Sequence, residues 1–206
     1  MTLDLLLIPL AYLIGSISFA VVVSKCMRLP DPHSYGSGNP GATNVLRSGS
    51  KKAAILTLLL DALKGYVPVM LVGVFSAELG VGPWTIALVG LGAFAGHLWP
   101  VFFGFQGGKG VATAAGVIFG IDWALGLLVM LCWLVVVWVW KYSSLAAILS
   151  AAFAPLAYYL GQYELWMPHW PIRLVLMVMA GLLIWRHREN IQRLRAGTEG
   201  RLNLRR

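Results

Sequence analysis

Long apolar runs constrain this chain more than any other feature. They occupy residues 5–24, 53–75, 84–103, 111–120, 123–140, 145–160 and 172–185, with short polar stretches between them. A helix needs about 20 mostly apolar residues to cross a bilayer, and backbone in lipid must satisfy its own hydrogen bonds, so these runs read as transmembrane helices. Composition agrees: 59% of the 206 residues are hydrophobic and 12% charged, where a soluble domain carries roughly a quarter charged residues. The fourth run is short, and is either half-buried or paired with the fifth through Asp122. The expected fold is all-α and integral to the membrane, with about seven spans forming a single domain over residues 1–206. Cys26 and Cys132 lack metal-ligand spacing and read as packing residues.

Charge sets the expected direction of each span. Asp4 precedes the first run and no lysine or arginine does, which argues against a cleaved leader and for an outward N-terminus. Alternation then puts Asp4, Glu78, Asp122, Glu164 and a single basic residue, Arg173, outside. Lys25, Arg28, Arg47, Lys51, Lys52, Lys109, Lys141 and the basic tail 186–206 fall on the cytoplasmic side. The partition obeys the positive-inside rule. It also accounts for the net charge of +8 without a nucleic-acid partner. Even-numbered spans would start at the cytoplasm, where helix N-termini favour anions.

Three polar stretches on that side carry more glycine and polar chemistry than tethers need. The first, from Ser34 to Arg47, reads SYGSGNPGATNVLR. Asn39 and Pro40 have the form of a cap and first turn, so a short interfacial helix is expected there, aimed at an anion with Ser37, Asn39 and Arg47 beside it; a flexible loop is the alternative. The second, Gly104 to Thr113, reads GFQGGKGVAT. Its glycines allow close backbone approach, its N–H groups suit phosphate, and Lys109 adds charge. It lacks the spacing of a Walker loop, and a hinge with a snorkelling lysine remains open. The third, after the last run, holds His187 and Asn190 three apart, which a continuing helix would place on one face.

Three further positions stand out. His97 near the end of the third run reads as structural. Ser143 or Ser144 would cap the sixth helix, and the same hydroxyl could also touch a phosphate. Asp61 and Lys64 lie three apart inside the second run, where a helical ion pair is the least costly arrangement, serving either function or bracing.

Taken together, the stretch from Gly36 to Asn44, Gly96-His97 with Gly107 to Thr113, and His187 to Ile191 followed by Gly197 and Glu199 resemble the bacterial acyl-phosphate:glycerol-3-phosphate acyltransferases, the PlsY family. The likeness runs from end to end, with Trp99 in place of an expected phenylalanine. The resemblance implies transfer of a fatty acyl group from acyl phosphate to the sn-1 hydroxyl of glycerol 3-phosphate, giving lysophosphatidic acid and phosphate, the first step of bacterial phospholipid synthesis. It further implies an inner-membrane enzyme whose active site faces the cytoplasm and which needs no cofactor or metal. Membrane lipids and a soluble enzyme that forms acyl phosphate are the expected partners. Carried over, Ser37, Arg47, Lys109, His187 and Asn190 would be catalytic, and Asn39, Gly107, Gly108, Lys109, Gly110 and Ser144 would bind substrate. His97, Glu199, Asp61 and Lys64 would be structural near the site.

An acyl phosphate is already activated, so positioning and charge stabilisation suffice without a covalent intermediate. Lys109 and Arg47 would neutralise phosphate, Asn190 and Ser37 would orient substrate, and His187 would contact the attacking hydroxyl or the donor phosphate. A donor phosphate oxygen would serve as base, since inside carboxylates are scarce. The main rival is a small-molecule membrane transporter, whose mark would be an internal repeat with interrupted helices; none is visible. A magnesium-dependent lipid transferase would carry clustered aspartates inside, whereas Asp31, Glu189 and Glu199 are far apart in sequence.

Overall fold

A computed structural model describes residues 3–202. The described backbone is helical apart from turns and one isolated bridge between Gln162 and Trp166. The chain divides into two compact units, residues 1–121 and 122–206.

The first unit holds α1 (Asp4–Gly15), α2 (Phe19–Cys26), α3 (Ala42–Val45), α4 (Lys51–Val74), α5 (Ser76–Leu79), α6 (Pro83–Leu98) and α7 (Val111–Ile121). The first apolar run is not one rod: α1 and α2 meet at 45°. The 24-residue α4 starts where Ser50 Oγ accepts the N–H of Ala53 at 3.2 Å, satisfying one of the donors a helix start leaves over. It packs on α7, while α1 packs on α6. Glycines let these pairs touch backbone to backbone. A Cβ on Gly96 would strike Tyr12 O, and one on Gly116 would strike Ala62 O. With lipid tails as apolar as leucine, such close contact is what holds membrane helices together.

The second unit holds α8 (Trp123–Trp140), α9 (Ser143–Leu160), α10 (Trp170–Arg186) and α11 (Arg188–Arg195). Asp122 caps α8 by accepting the N–H of Leu125 at 2.9 Å. Exposed tryptophans stand at both ends of α8, Trp123 at one and Trp138 and Trp140 at the other, the pattern of side chains anchored at two membrane interfaces. α9 lies between α8 and α10. Beyond α9, Trp166 stacks on Tyr158 at 5.7 Å and donates its Nε1–H to Tyr158 O at 2.8 Å.

Among the described residues, four helices are long and apolar enough to cross a membrane, and up to six spans result if each bent pair is one span. This is a multi-pass, all-helical membrane architecture. The short fourth run forms α7, whose 11 residues reach about 16 Å, half the hydrocarbon thickness of roughly 30 Å. It is therefore shorter than a full span.

Four local expectations are corrected. The helix of the first polar stretch begins at Ala42 behind an extended Gly41, not at Asn39-Pro40, and is four residues long, too short to concentrate a dipole on an anion. α9 is capped by the backbone of Tyr142 with no side-chain bond; Ser143 and Ser144 already lie inside the helix. The last span does not run on into the tail, because α10 and α11 meet at 57°, with His187 ending one and starting the other. The exposed Cys26 also departs from a packing role.

Candidate active site

Each unit carries one cluster of the polar residues that the motifs single out. In the first unit the cluster is built from loops. Asn44, buried in α3, accepts the N–H of Ser37 at 3.0 Å and donates to Pro32 O at 2.7 Å and Tyr35 O at 3.2 Å. One amide thus fixes three backbone groups around Ser37. Gly36 has φ +62° with Asn44 and Arg47 directly over it, and a Cβ there would strike Asn44 Oδ1. Any other residue would have to displace Asn44 and Arg47 from that position. Both Ser37 and Arg47 are exposed, and Asn39 is half-buried.

The glycine stretch folds into a turn that seats against the end of α6 and the first loop. The N–H of Gly108 donates to His97 O at 3.1 Å. A side chain on Gly107 would collide with His97 O, and one on Gly108 with His97 Nε2 and, at 2.9 Å, with Pro40 O. Gly110, at φ +81°, accepts from Ala114 N at 2.7 Å and so launches α7. Lys109 is half-buried between these fixed glycines. The ring of His33 adds a second tie, reaching Asp31 Oδ1 at 2.8 Å and Gln106 O at 3.4 Å. The His33 backbone N–H, at 2.9 Å, is the main cause holding the Asp31 carboxyl below its usual value.

Beneath this surface runs a buried polar chain. Asp61 Oδ1 pairs with Lys64 Nζ at 2.8 Å, and Lys64 Nζ donates to Ile17 O at 2.6 Å, at the break between α1 and α2. His97 Nδ1 lies 3.7 Å from the same Asp61 oxygen and 3.1 Å from Thr113 Oγ1. The helical pair expected from sequence is therefore present, within a larger network.

In the second unit Glu199 is the hub. Its Oε1 accepts from Ser144 Oγ at 2.6 Å and Asn190 Nδ2 at 2.7 Å, and its Oε2 accepts from Arg193 Nε at 2.7 Å. The tail is held further where Leu202 N donates to Lys141 O at 2.7 Å and Arg201 Nε to Tyr142 Oη at 3.1 Å. His187 is 3% exposed, and its Nδ1 lies 2.8 Å from Leu183 O. A carbonyl only accepts, so Nδ1 carries the proton and Nε2 is the acceptor nitrogen in the neutral ring.

Burial works to raise the Glu199 pKa, but the hydrogen bonds from Ser144, Asn190 and Arg193, with the Arg193 charge, outweigh it and hold the carboxyl below its usual value. A carboxylate whose folded pKa is depressed stabilises the fold above its unfolded pKa, roughly 4.3, and loses that contribution as pH falls through the folded value. Glu199→Gln is therefore expected to lower the detergent-solubilised protein's Tm at pH 7. The gap from wild type should close as the pH is taken below about 4. Thermal scans across that range check it.

Two of these residues escape a sequence reading. Asn44 is an unremarkable residue in a turn-rich motif until its three bonds are seen, and Arg193 looks like one arginine of a basic tail. Among the described residues, no group of three or more His, Cys, Asp or Glu is placed to hold a metal ion.

The chain's relatives bear on this arrangement directly. The glycerol-3-phosphate acyltransferase family matches residues 5–197. The chain belongs to that family. The matched region contains every motif residue above except Glu199, two positions beyond it. A glycerol-3-phosphate acyltransferase of Paraburkholderia xenovorans (strain LB400) is 54% identical over 97% of this chain and 91% of the relative. One of Janthinobacterium sp. (strain Marseille) is 58% identical over 93% of each. Among solved structures, the glycerol 3-phosphate form of PlsY, an integral membrane glycerol 3-phosphate acyltransferase, is 40% identical with a TM-score of 0.88, covering 97% of this chain and 96% of that one. Its lysophosphatidic acid form gives a TM-score of 0.85 at the same identity, covering 97% and 95%.

Proposed function

We propose that this chain transfers a fatty acyl group from acyl phosphate to the sn-1 hydroxyl of glycerol 3-phosphate, releasing lysophosphatidic acid and inorganic phosphate. The observation that carries the reading is the 40% identical integral membrane relative, similar over nearly its whole length and described in forms named for both glycerol 3-phosphate and lysophosphatidic acid. The product is the simplest phospholipid precursor, which gives the chain its place in phospholipid synthesis. The whole chain acts as one acyltransferase domain in a bacterial inner membrane, with about seven membrane-embedded segments counting the half-length α7, its N-terminus outside and its site facing the cytoplasm. The positive-inside distribution of Lys25, Arg47, Lys51, Lys52, Lys109 and the arginine-rich tail supports that orientation.

Acyl phosphate fits as donor because its phosphate is a good leaving group. The substrate hydroxyl oxygen forms a bond to the acyl carbon, the bond from that carbon to the phosphate oxygen breaks, and the hydroxyl proton passes to the departing phosphate. Nothing in the sequence calls for a serine acyl-enzyme. Lys109, with the N–H groups of Gly107 and Gly110, takes the phosphate of glycerol 3-phosphate, while Gly108 shapes the turn through its bond to His97 O. Arg47, lying over Gly36, and Ser37, with Asn39 in the same loop, take phosphate oxygens and orient the substrate. In the second unit Asn190 and Ser144 act together with Glu199, and His187 Nε2 accepts from the attacking hydroxyl or, protonated, donates to the donor phosphate. A functional link to a soluble enzyme that makes acyl phosphate follows from the instability of that donor.

His187→Ala tests the assignment. Turnover should fall roughly 10²–10³-fold, the scale for a lost acid–base or charge-stabilising group, with the KM for glycerol 3-phosphate within a few-fold of wild type. Unchanged turnover would remove His187 from the chemistry.

A further inference from the structure

The buried chain of Asp61, Lys64, His97 and Thr113 is more elaborate than a brace between two helices requires. An ion pair at i and i+3 on α4 satisfies itself. Here the carboxylate also faces His97 on α6, and that imidazole meets Thr113 in the first turn of α7 at 3.1 Å. These two elements are the ones that enter and leave the glycine turn. The turn is fastened to them at three places: Gly108 N–H to His97 O, Gly110 O to Ala114 N–H, and the edge of the His97 ring packed on Gly108, with Pro40 O close to the same side of that glycine. Thr113 is fully buried and His97 is 7% exposed.

We propose that Thr113 and Asp61 are positioning residues which act through His97 to hold the 107–110 turn in its anion-binding shape. Thr113 and the Asp61 carboxylate fix the rotation of the imidazole from its Nδ1 side. The opposite ring edge then sets where Gly108 can sit, and with it the direction of the turn's N–H groups and of Lys109. Lys64 pairs with Asp61 at 2.8 Å and ties the assembly to Ile17 O at the α1–α2 break. Because donors fixed in advance lose no freedom on binding, the network serves affinity for glycerol 3-phosphate rather than the acyl-transfer step. This rests on the assignment of the turn to that substrate's phosphate.

Thr113→Val keeps shape and removes the hydroxyl. Steady-state kinetics with purified protein should show the KM for glycerol 3-phosphate raised roughly tenfold, kcat and the KM for acyl phosphate within about twofold, and recovery in Thr113→Ser. His97→Asn, which keeps a polar group near Nδ1 but removes the ring edge at Gly108, should show the same split. Lys109→Ala serves as the reference. If it raises the glycerol 3-phosphate KM while Thr113→Val and His97→Asn shift only Tm, or raise both substrates' KM values together, the positioning role is wrong and the turn's assignment stands. If Lys109→Ala itself leaves that KM unchanged, the assignment falls and the proposal with it.

Discussion

Asp61→Ala is expected to destabilise the protein by about 3–5 kcal/mol, the range for a buried ion pair stripped of one partner. Asp61 and Lys64 are 2% and 4% exposed, within a helix that crosses the apolar region. Removing the carboxylate leaves the Lys64 ammonium with Ile17 O at 2.6 Å and the Phe19 ring at 5.7 Å, neither of which carries a compensating negative charge. For a chain of this size that cost corresponds to a fall in Tm of ~6–20 °C. The paired replacement Asp61→Leu with Lys64→Met should recover most of it, since apolar residues of similar volume bear no desolvation cost. Thermal unfolding of the three variants in one detergent measures this. An Asp61→Ala protein as stable as wild type would show that the pair braces nothing.

The second large effect is on substrate affinity. Lys109→Ala should raise the KM for glycerol 3-phosphate by roughly 10- to 150-fold, the equivalent of about 1.5–3 kcal/mol for a hydrogen bond to a charged group. The fold should be untouched, because Lys109 is half-buried and the turn is held by its glycines and His97. Lys109→Arg should recover only part of the affinity, since a planar guanidinium places its donors differently from a compact ammonium. Kinetics over a range of glycerol 3-phosphate at saturating donor separate this from a loss of turnover. A large fall in kcat at unchanged KM would move Lys109 from ground-state binding to the transition state.

Much of this could be read from local sequence. The long helices α4, α8 and α9 follow from uninterrupted apolar length, and the Asp61–Lys64 pair from its spacing on one helix. Breaks and distant contacts could not be read this way. The interruption at residues 16–18 looks like two serines in an apolar run, and the 57° bend at His187 sits in a stretch, Arg186 to Asn190, whose residues all tolerate a helix. Ser144 and Glu199 are 55 positions apart, so the serine's role as a donor to the tail, rather than a cap, depends on where the tail lies. Asn44 shows the same limit at short range: nothing in its neighbours indicates that Ser37, Pro32 and Tyr35 converge on it.

The chain's activity is best tested by giving purified protein glycerol 3-phosphate with acyl phosphate, acyl-CoA or acyl carrier protein as the only acyl source, and following lysophosphatidic acid. Product should form with acyl phosphate, accompanied by one equivalent of inorganic phosphate, and not with the two thioesters. Product from acyl-CoA with none from acyl phosphate would contradict the account.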